Sequence, residues 1–171
     1  DPEVISNEYD YICFTDSDQY SSSVWEIKKV TPLYGHGGLN NRKYKVLPHR
    51  YLSEYEFSIY IDGDLKIIND LGKLADNFIK FPLSVLDHSL CIYDEANFIK
   101  WLGDNHPKKH YKDNIQTIFK QIEKYQFENY PYKNGLARTS VIMRNHNNPQ
   151  VTQVMEDWWL ELKYWSKRDQ L

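Results

Sequence analysis

The order of segments along this chain predicts a three-layer α/β domain with a mostly parallel central sheet. Three observations lead there. Short β-branched and aromatic runs alternate with amphipathic runs from one end to the other. A length of 171 residues, 41% of them hydrophobic and 15% aromatic, suffices for one core and predicts a single domain over 1–171. The seven Pro and seven Gly are dispersed instead of gathered into a linker, and no repeat or low-complexity tract interrupts the alternation.

The elements follow in order. Tyr9 to Thr15 and Val24 to Val30 carry the residue bias of strands. Asn40 to Leu47 turns helical, and Pro48 ends it. Phe57 to Ile61 is a nearly continuous apolar run, the pattern of a strand covered on both faces, and it stops at Asp62-Gly63-Asp64. Asp70 can cap a helix on which Leu71, Leu74, Phe78 and Ile79 share a face. A strand at Pro82 to Leu86 precedes helices at Tyr93 to Leu102 and Asn114 to Tyr125. Thr139 to Met143 reads as the last strand. Pro149 then opens a long helix carrying Val151, Val154, Met155, Trp158, Trp159, Leu162 and Trp165.

Composition removes several function classes. With 21 basic against 24 acidic side chains, the net charge of −3 lacks the excess needed to grip a nucleic-acid backbone. No apolar run approaches the ~20 residues of a membrane span. Cys13 and Cys91 lie in apolar stretches, as buried thiols do, and not in a disulfide or zinc pattern. Nothing in the charge pattern asks for an oligomer, so a monomer is expected. The chain opens at Asp1-Pro2 without an initiator Met, and a fragment of a longer protein is expected.

Asp62-Gly63-Asp64 is the segment with chemistry in it. Ligands of open α/β sheets collect at the carboxyl ends of strands, where this triplet falls. On extended backbone, side chains two apart point the same way, so both carboxylates can face one ligand while Gly63 allows close approach. Two hard oxygen donors suit Mg²⁺ or Mn²⁺, which also bridge phosphate oxygens. The plainer alternative is a polar turn capping a strand. An EF-hand does not fit, because its sixth position would be Ile67 and its twelfth Lys73. Neither G-x-G-x-x-G nor a P-loop is present. His106 and His110 are separated by Pro107, which spoils a zinc-binding helix face, and they read as loop histidines.

Seven segments occurring in this order resemble a known family: YICFTD (11–16), RKYK (42–45) running into Pro48-His49, YIDGD (60–64), CIYDEA (91–96), MRNHN (143–147), Trp158-Trp159, and SKRDQL (166–171). The family is one of glycosyltransferase-like proteins long catalogued as a domain of unknown function. It includes plant proteins linked to pectin and mucilage synthesis, with bacterial and viral relatives, and it is similar to the GT-A class of nucleotide-sugar transferases.

The resemblance implies a GT-A-like fold and a role for each matched position. Phe14, Thr15 and Asp16 would lie near the nucleoside. Asp62 and Asp64 would hold the metal, Mn²⁺ or Mg²⁺, and through it the diphosphate. Arg42 and Lys45, an i, i+3 pair, would bring positive charge to the phosphates or to an acidic sugar, or else form a solvated helix face. Asp169 and Gln170 occupy the place where related transferases present side chains to the reacting sugar. Glu95 and Asp94 would serve the acceptor, or only favour a helix N-terminus. His146 would be a third metal ligand or a phosphate donor, or a hydrogen-bonded loop histidine. The tryptophans of the last helix read as core, with one exposed ring available to stack on a sugar.

The implied activity is transfer from a nucleoside-diphosphate sugar, a UDP-sugar foremost, to a hydroxyl on a glycan or glycoprotein. Asp169 or Glu95 could act as base in an inverting enzyme; the Asp-Gln pair resembles that of retaining relatives, and retention is favoured. The alternative is a catalytically silent carbohydrate-binding module on the same fold.

Overall fold

The structure, a computed structural model, describes every residue except Ile79, Lys109, His110 and Lys112. Ile79 in the apolar face and His110 of the histidine pair therefore lie outside the described residues. Among the described residues, five strands and five α-helices follow in the order β1 (Ile12–Thr15), β2 (Glu26–Lys29), α1 (Gly37–Val46), β3 (Ser58–Ile61), α2 (Leu71–Phe78), β4 (Leu83–Asp87), α3 (Ile92–Asn105), α4 (Ile115–Phe127), β5 (Ala137–Arg144) and α5 (Pro149–Tyr164). A 3-10 turn, Pro48–Arg50, follows α1.

Side-chain caps account for several helix starts. Asn148 accepts hydrogen bonds from the amides of Gln150 (2.9 Å) and Val151 (3.3 Å), with Pro149 just inside the first turn. Asn114 accepts from Thr117 N at 3.0 Å, and Asp70 from Gly72 N at 2.9 Å. Helix α1 begins three residues before the expected Asn40. Glycines 37 and 38 are poor helix formers, yet at a first turn they are tolerated, and the His36 ring accepts from Gly38 N at 3.1 Å.

The sheets correct the expectation of a mostly parallel central sheet. β1 and β2 pair in parallel as a separate two-stranded sheet. The larger sheet has the order β3-β5-β4, and β5 is antiparallel to both neighbours. The number of helical passes explains this. One helix, α2, lies between β3 and β4, which consequently run the same way; two helices, α3 and α4, lie between β4 and β5, and an even number of passes reverses the strand. The apolar run ending at Ile61 is an edge strand with all four residues only half-buried, whereas the central, most buried strand is β5.

Two apolar clusters hold the layers. α1 packs on α5 through Leu39, Val46, Leu47, Val151, Met155, Trp159 and Leu162, and the Tyr34 ring meets Trp159 edge-on at 5.7 Å. Val154, expected on this face, is 50% exposed. The second cluster joins α3 and α4 through Ala96, Ile99, Ile118 and Ile122, and it also takes in Leu171. Cys13 and Cys91 are both free thiols. No helix among the described residues is long and apolar enough to cross a membrane.

Buried Trp159 and exposed Trp101 supply a matched pair for testing this packing. Trp159→Ala should lower the unfolding free energy by about 3–5 kcal/mol, and Trp101→Ala by no more than about 0.5 kcal/mol, in urea titrations followed by circular dichroism. Equal losses would contradict the assigned core.

Candidate active site

Because β5 runs antiparallel to β3, its first residues lie beside the carboxyl end of β3. Ile61 pairs with Val141, and the ladder continues as Asp62 N donates to Ser140 O at 2.9 Å. A polar cavity of about 230 Å³ opens at this junction. α1 contributes Asn41, Arg42 and Lys45; β3 ends at it with Asp62. β5 contributes Arg138, Thr139 and Ser140, and the segment after α5 contributes Arg168, Asp169 and Gln170.

Lys45 is the centre of the site. It is only 2% exposed, and its ammonium donates to Asp62 Oδ1 at 3.1 Å, to Thr139 Oγ1 at 3.3 Å and to Asp169 Oδ2. Its three N–H donors thus have three acceptors. The ring of Tyr60 lies 4.9 Å beneath the charge, and the Tyr60 hydroxyl donates to Asp62 Oδ1 at 2.8 Å. Burial, followed by this bond to Asp62, pushes the Tyr60 hydroxyl well above its ordinary range, so it stays a donor. Tyr60 was not among the expected site residues, although its place two before Asp62 on one strand face was a readable signal.

Asp169 is the second carboxylate. Arg42 donates to its Oδ1 at 3.3 Å and Thr139 to its Oδ2 at 3.1 Å, in addition to Lys45. Behind this layer, Arg168 donates to Glu95 Oε1 at 2.8 Å and to Gln170 Oε1 at 2.6 Å. Glu95 is buried near the start of α3 and reaches the cavity only through Arg168.

The segment after α5 is tied at both ends. Gln121 accepts from Ser166 N at 3.2 Å, Asp113 accepts from the Ser166 hydroxyl at 2.8 Å, and Leu171 enters the α3–α4 core. Arg168 to Gln170 are thereby stretched across the cavity.

The remaining expected residues are placed elsewhere. Asp64 is exposed and is not part of the cavity wall. The triplet is a turn and not extended backbone, with Leu65 N donating to Asp62 O at 3.0 Å, so the two carboxylates lose the common direction of a strand. His146 is fully buried; its Nε2 hydrogen-bonds to Leu52 O at 2.8 Å and its Nδ1 to Ser58 Oγ at 3.0 Å. Ser58 begins β3 and Asp62 follows its end, roughly 13 Å away at about 3.3 Å per residue. Burial holds the His146 imidazolium below its ordinary range. The structure therefore makes it a neutral core residue and does not bring it to Asp62. Phe14 stacks on Tyr44 at 4.7 Å, Thr15 Oγ1 accepts from Ser17 N at 3.1 Å, and Asp16 is exposed; none of the three lines the cavity. Among the described residues, no group of three or more His, Cys, Asp or Glu is placed to hold a metal by itself.

Arg144 supports the site from below. It is buried beneath α1, where it donates to the carbonyl of Lys45 and to Met155 Sδ at 3.2 Å. Burial pulls its guanidinium down to about 9, which leaves it charged at neutral pH.

Burial alone would raise the Asp169 carboxyl, but Lys45 and Arg42 outweigh it and hold the group at about 2 against an ordinary 3.8. A depressed carboxyl stabilises the fold above about pH 4 and loses that contribution as pH falls towards 2, a change of about 2 kcal/mol. Urea titrations of the wild type and Asp169→Asn between pH 6 and pH 2 should therefore converge by about that amount in acid. Parallel pH profiles would contradict the ion pair.

Comparison with known proteins adds one match. The sequence model of the family described as "TOD1/MUCI70, glycosyltransferase-like domain" matches residues 7–171. None of the curated proteins matches the chain, and none of the solved structures does. The match spans both sheets, all five helices and the whole cavity wall, and the chain belongs to the TOD1/MUCI70 glycosyltransferase-like domain family.

Proposed function

We propose that this domain transfers a sugar from a nucleoside-diphosphate sugar, with UDP as the nucleotide, to a hydroxyl on a glycan or glycoprotein. The observation that carries the reading is the cavity at the carboxyl end of β3, where one buried ammonium holds Asp62 and Asp169 together among guanidinium groups. Family membership supports glycosyl transfer as the reaction class. At about 230 Å³ the cavity suits the sugar and its leaving phosphate. Pockets for whole drug-sized ligands run from about 300 to 1,000 Å³, so the nucleoside would lie outside it, towards Phe14, Thr15 and Asp16.

A Mg²⁺ or Mn²⁺ ion would have to arrive with its ligand, since no three metal-ligating side chains converge among the described residues. Such ions are held through one or two carboxylates plus substrate phosphates, and not in all-protein cages. Asp64, exposed in the turn, and Asp62 would be those carboxylates. When bound, the ion would supply charge stabilisation at the leaving phosphate.

The protein's own groups favour retention. A carboxyl held at about 2 is a weak proton acceptor at neutral pH, and Asp169 is fixed by donors from three residues. Glu95, the other candidate base, is buried and committed to Arg168. Neither is equipped to deprotonate an acceptor hydroxyl as inversion requires. Asp169 would instead keep a permanent negative charge beside the cation-like sugar, with Gln170 next to it.

Asp64 gives the cleanest test, since an exposed turn residue can be replaced at a cost within about 0.5 kcal/mol. Asp64→Ala should bind UDP in the presence of Mn²⁺ at least tenfold more weakly than wild type by calorimetry, with an unchanged melting temperature. Undiminished Mn²⁺-dependent binding would remove Asp64 from the metal site, and wild-type binding of glycan without any affinity for UDP would favour the carbohydrate-binding module.

A further inference from the structure

Three consecutive residues of β5, Arg138, Thr139 and Ser140, all line the cavity. Regular strands cannot do this, because successive side chains alternate between faces. The register explains how it happens here. Leu86 of β4 pairs with Arg138, but its neighbour Val85 pairs with Ile142, so residues 139–141 of β5 face a single step of β4. This bulge redirects the start of β5 towards the cavity, a known use of bulges beside functional sites.

Charge pairing then separates Arg138 from the other cavity cations. Lys45 is matched by Asp62 and Asp169, Arg42 by Asp169, and Arg168 by Glu95. Arg138 is exposed, and among the described residues its side chain has no hydrogen bond, ion pair or ring contact. Once the internal pairs are counted, the positive charge left on the cavity wall is that of Arg138. An unpaired guanidinium presents a fork of donors that fits the two oxygens of a phosphate or a carboxylate.

We propose that Arg138, delivered by the β5 bulge, is the residue through which this cavity binds an oxyanion group of its ligand and selects for it. The proposal rests on the nucleotide-sugar reading only for the source of that group: a phosphate of the donor, or the carboxylate of an acidic sugar. Its charge and place follow from the cavity itself.

Calorimetry on the full chain with inorganic pyrophosphate, glucuronate, UDP-glucose and UDP-glucuronate tests it, comparing wild type with Arg138→Gln, Arg138→Lys and, as a control for net charge, exposed Lys80→Gln. Arg138→Gln should weaken at least one of the simple anions roughly tenfold, the scale of a lost charge-assisted hydrogen bond, with Arg138→Lys recovering part of the loss and Lys80→Gln behaving as wild type. An equal loss for both UDP-sugars, together with pyrophosphate, assigns Arg138 to phosphate. A loss confined to UDP-glucuronate and glucuronate assigns it to the sugar carboxylate. Binding of pyrophosphate or glucuronate that depends on Arg138, without binding of any UDP-sugar, would uphold the anion site and defeat the nucleotide reading. Arg138→Gln binding all four ligands as wild type does, Lys80→Gln reproducing the loss, or wild type binding neither simple anion would overturn the proposal.

Discussion

A buried ammonium between two carboxylates is the constraint on which this structure turns. Lys45 brings Asp62, at the end of a strand, and Asp169, more than a hundred residues later, to one point. Two like charges at such separation would repel strongly in a poorly solvated site, and one of them would be forced to take up a proton. The lysine removes that conflict and keeps Asp169 ionised. The arrangement also binds three parts of the fold to each other: α1, which carries the lysine, the β3–β5 pair, and the segment after α5. A buried pair of this kind adds little net stability by itself, but losing one partner strands the other, so the three parts are held to one geometry.

The rest of the cavity is built by devices that each set direction. The bulge in β5 turns consecutive side chains to the same side. Leu171, buried between α3 and α4, pulls the last residues over the opening, and Glu95 at the start of α3 steadies Arg168 from behind. Arg144 clamps the carbonyl of Lys45 from the core side. Function and folding are therefore not separable at this end of the sheet, because the same contacts that close the apolar clusters place the charged groups.

Much of this was legible in the chain. Apolar spacing, the cap at Asp70 and Pro149 at the head of the last helix located helices to within a few residues, and the run ending at Asp62 marked the strand that carries the site. Arg42, Lys45, Asp62, Asp169 and Gln170 were each identifiable as members of recurring motifs, and the fold brings all five to one cavity. What escaped depended on pairing across the sequence. Strand direction followed from the number of helices between β4 and β5, a count that alternation alone does not weigh. The bulge that presents Arg138 exists only relative to β4, and no local pattern marks it. The common direction of Asp62 and Asp64 follows from extended backbone alone, whereas the chain turns at Gly63 and Asp64. His146 follows a strand, as an available ligand would, but the groups that occupy its ring, Ser58 and Leu52, are about ninety residues away in sequence.

The coupling between Lys45 and its two carboxylates is the interaction to measure first. A double-mutant cycle with Lys45→Met, Asp169→Asn and the pair, read as unfolding free energies in urea at pH 7, measures it without any ligand. The double variant should be more stable than the two single losses sum to, by about 1–3 kcal/mol, since each single change leaves a buried charge unmatched. Losses that simply add would mean that Lys45 and Asp169 do not share a charge pair, and the cavity described here would lose its centre.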